Sequence, residues 1–317
     1  MKKSSSKIVV VSGFIALCLL ITHLINKFIF YINTFKEHLH SNHGFYYEWR
    51  FGRIYYTKQG NGPSLLLVHD LNNTSSQYEW KEVADKLSKN YTVYTIDLIG
   101  CGCSDKPKLT YTNYLYVQLI SDFIRDVIGE KVSIVSSRNS CSISIMACYI
   151  DSNLFSKVFL VNPRDIEDLK QFPTKKHRLY KRLLNIPILG TLIYNIKNSR
   201  YQLSKSFYRD YLSNKKCICR YINAYSEAAH TSGSNSKYVY NSIKCHYTNT
   251  NITHGLKDIS NPIIILEGSD CCKAQKIIDQ YEGINASIES IFIENAKELP
   301  HVENPEQVAN LIDSNIA

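Results

Sequence analysis

Glycine and proline are scarce in this chain, at 13 and 8 of 317 residues. No stretch is rich enough in either to form a long flexible linker, and collagen-like or low-complexity order is excluded. No unit recurs at a period of 20 to 50 residues, so a solenoid or propeller is excluded as well. The ten cysteines (Cys18, Cys101, Cys103, Cys141, Cys148, Cys217, Cys219, Cys245, Cys271 and Cys272) contain no C-x-x-C pair and no Cys/His spacing of a zinc site. The sequence therefore predicts no metal and no cofactor. Acid is the scarcer charge, with 28 Asp plus Glu against 37 Lys plus Arg, a net of +9. Such an excess suits an anionic membrane surface or a nucleic acid. No recognition helix, RNA motif or aromatic sheet signature accompanies it, which speaks against nucleic acid.

What is present is apolar: 44% of the residues are hydrophobic and 12% aromatic, enough for a large core in one catalytic-sized domain. Cys141 and Cys148 interrupt apolar patterns, where a free thiol behaves as a small hydrophobe; most cysteines then read as reduced core residues in a reducing setting. From Ile8 to Asn26 run 19 uncharged residues, about the length that spans a bilayer. No small-x-small cleavage site follows, and the chain continues through Lys27 into another apolar run, so an uncleaved single-pass anchor with its linker is expected over residues 1–44. Lys2, Lys3, Lys7 and the amino terminus outweigh Lys27 and Lys36 less Glu37, which places the N-terminus in the cytoplasm. The cysteines argue for the other side, and the orientation stays open.

Beyond the anchor, Tyr46–Phe51 and Arg53–Thr57 alternate around Gly52 as an opening hairpin. The runs Ser64–Val68, Thr92–Ile96, Val132–Val135, Val158–Val161 and Ile263–Leu266 are apolar without alternation, as in strands buried on both faces of a parallel sheet. Helical periodicity over Ser76–Lys89 and Tyr114–Ile128 falls between them. The order predicts an α/β protein with a doubly wound, mostly parallel sheet.

The run YTIDLIGCGCSDKP at Tyr94–Pro107 resembles the DxxGxGxSxxP motif of α/β-hydrolase-fold enzymes, in the capped branch that holds haloalkane dehalogenases, epoxide hydrolases and C-C bond hydrolases. LLLVHD at Leu65–Asp70, VFLVNP at Val158–Pro163 and LPHVENPEQV at Leu299–Val308 follow in the family's order. The resemblance implies a core over residues 45–163 and 258–317 with an inserted helical cap over 164–257. It also implies a nucleophile on the sharp turn after Val132–Val135, an acid, and a histidine base.

Those positions are degenerate. The turn reads Ser136-Ser137-Arg138-Asn139-Ser140-Cys141-Ser142, without glycine. With the family's spacing, Arg138 stands at the nucleophile position; with the turn shifted by two residues, Ser140 does, and both registers stay open. Glu298 stands where the family has its base, and His301 aligns with the second, non-catalytic histidine. Asp270 is the expected acid and Asp165 the alternative. The backbone N–H groups of Leu71 and Cys141 are the expected oxyanion donors. Asp70 replaces the family's glycine after His69, either as a negative charge beside that hole or as a cap of the loop Asn72–Ser75.

The cap carries 17 Lys plus Arg against 5 acids, so the charge excess lies there. Lys175, Lys176, Arg178, Lys181 and Arg182 precede the apolar run LLNIPILGTLIYNI. A basic face beside a greasy one suits an anionic bilayer, or an amphiphilic ligand with an acidic head entering between cap and sheet. The sequence thus predicts a membrane-anchored hydrolase-fold protein acting on ester-type bonds of an apolar substrate with weak or no triad activity, or a silent pseudohydrolase that binds a lipid-like ligand or a partner.

Overall fold

The computed structural model describes residues 2–39, 44–212 and 215–316. Among the described residues eight strands form one sheet: β1 (Gly44–Trp49), β2 (Gly52–Gln59), β3 (Ser64–Val68), β4 (Thr92–Ile96), β5 (Val132–Ser137), β6 (Phe155–Val161), β7 (Ile263–Gly268) and β8 (Glu289–Ile293). Their spatial order is β1-β2-β4-β3-β5-β6-β7-β8. The hairpin β1–β2 joins β4 antiparallel, and all later pairs are parallel. Side chains alternate across each strand, so in β3 Leu65 and Leu67 enter one layer and Leu66 and Val68 the other. Both layers are covered, which is why these strands read as unbroken apolar runs. β8 lies at the sheet edge, mixes polar with apolar residues and is only partly buried, and so carries no such run.

The helices run in chain order: α1 (Lys2–Thr34), α2 (Lys81–Leu87), α3 (Asn113–Phe123), α4 (Asn139–Ile150), α5 (Ile166–Leu169), α6 (Lys175–Asn185), α7 (Leu189–Lys197), α8 (Arg200–Ser206), α9 (Lys215–His230), α10 (Ser236–Lys244), α11 (Thr253–Asp258), α12 (Ala274–Glu282), α13 (Pro300–Glu303) and α14 (Pro305–Ile316). α2 and α14 cover one sheet face with Val83, Leu87, Val308 and Ile312, while α3 and α4 cover the other with Leu119, Phe123, Ile143 and Ala147. Each fully buried Leu, Ile, Val or Phe contributes roughly 1.5–3 kcal/mol, so the two layers on the parallel centre supply much of the fold's hydrophobic stabilisation. Helices α6 to α10, inserted between β6 and β7, line a cavity with the loop after β3 at the carboxyl ends of the strands, where open α/β sheets hold their sites, while α11 packs against α4.

α1 is about 50 Å long at 1.5 Å per residue. Its stretch Lys7–Thr34 is long and apolar enough to cross a membrane. From Ile8 to Leu24 its large apolar side chains are exposed, apart from the half-buried Leu19. Its last turns are tied to the helices above the sheet. Asn26 Nδ2 donates to the Ile188 carbonyl (3.0 Å), Asn195 Nδ2 donates to Asn26 Oδ1 (2.9 Å), and Ser226 Oγ donates to Asn33 Oδ1 (2.7 Å). Immediately beyond α1, the His38 N–H donates to Glu227 Oε2 (2.6 Å).

Candidate active site

The turn from β5 to α4 pivots on Arg138, at φ 49° and ψ −112°. A non-glycine residue held at positive φ stores strain, and a sharp strand-to-helix turn presents that residue's side chain above the sheet. The bend is anchored from both sides: Arg138 N–H donates to the Val161 carbonyl (2.9 Å), and Cys141 N–H donates to the Arg138 carbonyl (3.2 Å). Ser136, Ser140 and Cys141 are fully buried, small enough to pack under the bend where glycines are more usual. Of the two registers open in the sequence, the turn residue is Arg138. Ser140 lies in the first turn of α4, fully buried, with Oγ donating to the His69 carbonyl (2.5 Å), and it lines neither of the cavities described below.

The Arg138 guanidinium meets three groups. Nε is 3.6 Å from Asp70 Oδ2, Nη1 pairs with Glu298, and Cζ lies 4.9 Å from the Tyr211 ring centroid. Positions that would carry nucleophile, oxyanion glycine and base are thus occupied by an Asp70–Arg138–Glu298 ion-pair chain. Asp70 does not turn outward to cap its loop. Its Oδ1 accepts from the backbone N–H of Asn139 (3.0 Å) and from Asn139 Nδ2 (2.7 Å). That N–H belongs to the residue after the turn, the position of an oxyanion donor, and an internal carboxylate already fills it. Cys141 N–H is used within the helix and is not the free donor expected of it. Leu71, expected as the second donor, is buried. Burial pushes the Asp70 carboxyl up, against the pull of Arg138 and the Asn139 hydrogen bonds.

Asp270 lies in the loop after β7, where Ser269 Oγ donates to its Oδ1 (3.0 Å). It lines a cavity of about 340 Å³ together with Arg138, Glu298, Glu267 and Cys271. Glu267, at the end of β7, was not singled out in the sequence, although a carboxylate ending the run IIILEG is a signal. It is 1% exposed, and burial pushes its carboxyl up to about 8 despite Arg138. Asn162 holds this corner: its Nδ2 donates to Glu267 Oε1 (3.3 Å) and Cys271 Sγ (2.9 Å), and its Oδ1 accepts from Gly268 N–H (3.1 Å). Asp165, at the same cavity's rim, caps α5 by accepting from Glu167 N–H (3.0 Å) and pairs with Lys276 (2.7 Å).

His301 sits elsewhere. Its fully buried ring stacks on Trp80 with centroids 4.2 Å apart, and Nε2 is 3.5 Å from Glu79 Oε2. Glu79, also missed in the sequence, takes the Asp70 N–H (3.3 Å) and is fully buried. Burial raises its pKa, and His301, His69 and Ser75 outweigh that, holding it below the ordinary carboxylate range. A second cavity, of about 320 Å³, lies between the sheet's loops and α7–α10, lined by Asp70, Tyr211, Tyr225, Tyr240, Lys197 and Lys244. Arg138 lines the first cavity while its partners Asp70 and Tyr211 line the second, so this cluster stands between the two. Among the described residues no group of three His, Cys, Asp or Glu could hold a metal ion.

A mostly parallel eight-stranded sheet, a strained turn residue after β5 and an insertion over the strand ends define an α/β-hydrolase architecture. The family model described as "Alpha/beta hydrolase family" matches residues 65–311, and the chain belongs to that family. An uncharacterized protein of Mycobacterium tuberculosis is 29% identical over 129 residues, 41% of this chain and 35% of that one. A soluble epoxide hydrolase of Corynebacterium is 26% identical over 110 residues, 35% of this chain and 38% of that one. The matches thus span only about a third of these relatives' lengths. Among solved structures, a membrane phospholipase A superposes with TM-score 0.68 at 16% identity, covering 100% of this chain and 98% of that one. An enol-lactonase of Burkholderia xenovorans gives TM-score 0.68 at 11% identity, covering 86% and 99%. At these identities the likeness is one of fold.

Proposed function

We propose that this α/β-hydrolase family member is held in a membrane by α1 and uses its cleft to bind an apolar or amphiphilic ligand without serine-based ester hydrolysis. The observation that carries the reading is the residue on the turn. A guanidinium is always protonated and cannot attack a carbonyl. Three further features agree. Asp70 occupies the oxyanion donor at Asn139 and would repel a developing negative charge. Glu298 is already paired to Arg138 and supplies no imidazole. Ser140, the hydroxyl of the shifted register, is committed to the His69 carbonyl. The ligand chemistry follows from the cavity of about 320 Å³, where four tyrosines including Tyr180 supply apolar rings and Lys197 and Lys244 face an acidic head. That a neighbour in fold is a membrane phospholipase A agrees with a lipid-like ligand.

The full chain in detergent, treated with a fluorophosphonate probe and a panel of chromogenic esters, is expected to show no labelling or turnover that Ser140→Ala removes. Stoichiometric labelling lost in Ser140→Ala would overturn the reading in favour of a weak hydrolase. In parallel, a fluorescent fatty acid should bind, and Lys244→Gln should weaken it; equal binding by both proteins would move the ligand elsewhere.

A further inference from the structure

Away from the cleft, α1 and the helices it packs against enclose a groove of about 570 Å³, lined among others by Asn26, Lys27, Phe30, Ile188, Thr191 and Lys237. Lys237 is 3% exposed. Its ammonium has three donors, of which one reaches the Ile186 carbonyl (3.3 Å) and one Thr191 Oγ1 (3.2 Å). No carboxylate lies within ion-pair distance of it among the described residues. Burial first, and then repulsion from the cation Lys108, pull its pKa down, and the Tyr238 ring centroid lies 5.6 Å from Nζ. A buried ammonium without a counter-charge is costly, and proteins tolerate one where an anion completes it.

The depth of the groove says which anion. Lys7 and Lys27 bracket the exposed apolar part of α1, and the rise from one to the other corresponds to about 30 Å, the thickness of a bilayer's hydrocarbon core. Lys27, and with it the groove, therefore falls at head-group level. The adjoining elbow of α6 and α7 leaves Leu183, Ile186, Leu189, Ile193 and Ile196 exposed, an apolar surface at the same level. The basic residues Lys175, Lys176, Arg178 and Arg182 of α6 add attraction for an anionic leaflet.

We propose that this groove is a binding site for one anionic phospholipid, its phosphate completing Lys237 and Lys27 and its acyl chains lying along α1 and the α6–α7 elbow. The site is separate from the cleft and rests only on α1 lying in the membrane. The test uses the full chain in neutral detergent, titrated with a short-chain phosphatidylglycerol, the matching phosphatidylcholine, or inorganic phosphate, with thermal unfolding as readout. Saturable stabilisation by phosphatidylglycerol alone is expected, because only that probe joins the charge to the chains. Lys237→Met should keep or exceed the lipid-free melting temperature, since it removes a buried unpaired charge, and bind phosphatidylglycerol at least ten-fold more weakly. Lys27→Gln, at an exposed position that does not threaten folding, should weaken it in the same direction. Equal responses to both lipids, equal stabilisation by phosphate alone, or an undiminished response in both variants would each overturn the site. Failure of membrane anchoring would appear separately, as release of the chain from membranes by alkaline carbonate.

Discussion

Replacing Arg138 by methionine isolates the ion-pair chain that occupies the turn. Methionine keeps the length and apolar contact of the side chain and removes the charge, leaving Asp70 buried with a 2% exposed side chain and no counter-ion. Removing one partner of a buried pair costs about 3–5 kcal/mol. Glu298 adds little to that figure, because its side chain is 36% exposed and water screens it. For a domain of this size the loss corresponds to a fall in melting temperature of roughly 6–15 °C. The deficit should depend on pH with a definite sign. Without Arg138 the Asp70 carboxyl, already raised by burial, rises further. A folded pKa above the unfolded one favours the folded state in acid and penalises it as pH rises through that window. The variant should therefore be least stable relative to wild type at alkaline pH and recover toward acid pH. Adding Asp70→Asn should restore most of the loss, since asparagine's oxygen can still accept from Asn139 N–H. Thermal unfolding of the four proteins at pH 5 and pH 8 measures the cycle. If Arg138→Met matched wild type at pH 8, the charge on Arg138 would not be holding Asp70, and the account of the turn would be wrong.

Three further outcomes follow from other parts of the molecule. Glu267, whose carboxyl is raised to about 8, binds a proton in the folded state over a range where the unfolded chain has lost it, so its contribution falls as pH rises from about 4.5 to 8. Glu267→Gln should flatten that part of the stability profile and gain on wild type at pH 9; an unchanged profile would place the carboxyl in contact with water. Ser140→Ala removes a buried hydrogen bond to the His69 carbonyl and should cost about 1 kcal/mol without altering ester turnover or probe labelling. The chain should stay with membranes through carbonate washing, and removal of residues 1–25 should release it; extraction of the full-length chain would mean that α1 does not span.

The sheet could be read from the sequence because both its faces are buried. Leu65–Leu67, Val93 and Ile263–Ile265 must all be apolar, and that leaves a signal of composition and length alone. The turn was harder. Its identity depends on where β5 ends, and the polar tail Ser136-Ser137 extends the strand two residues past the apolar run Val132–Val135, with Ser137 fully buried. Composition then favours Ser140 as nucleophile, while backbone geometry selects Arg138. Glu79 was illegible and Glu267 only hinted at by its place at the end of an apolar run, for a related reason: what distinguishes them from surface acids is burial, and burial of a charge depends on long-range neighbours such as His301 and Asn162. Asp70 is the instructive intermediate case. Its identity as a departure from the family's glycine was visible, but its role as occupant of the oxyanion donor required knowing that Asn139 N–H points at it.

The last prediction asks whether the fold still carries the catalytic frame beneath these substitutions. The turn keeps its strained φ of 49°, and Asn139 N–H still faces the place where an oxyanion would form. Asp270 still lines the cavity with Glu298. On the function proposed above, what is missing is a nucleophile, a base and a vacant donor, at positions 138, 298 and 70. Arg138→Ser alone supplies the hydroxyl but leaves Asp70 on the donor and no imidazole to take the proton. Glu298→His alone supplies the imidazole with nothing to deprotonate, beside a guanidinium that opposes its protonation. Asp70→Gly alone frees the donor but leaves no nucleophile and no base, with Arg138 still paired to Glu298. A positioned base contributes about 10² to 10⁴ in rate and one oxyanion donor about 10² to 10³, and the two act only on a nucleophile that is present. The three single variants should therefore hydrolyse a chromogenic ester at background. The triple variant Arg138→Ser, Glu298→His, Asp70→Gly should exceed background by at least about 10², with fluorophosphonate labelling at position 138. A positioned base also has to lose its proton first, so turnover in the triple variant should rise with pH through the histidine range and level off above it. Equal turnover in Arg138→Ser and in the triple variant would show that neither Glu298 nor Asp70 blocks the chemistry. Background turnover in a well-folded triple variant would show that the frame itself has moved.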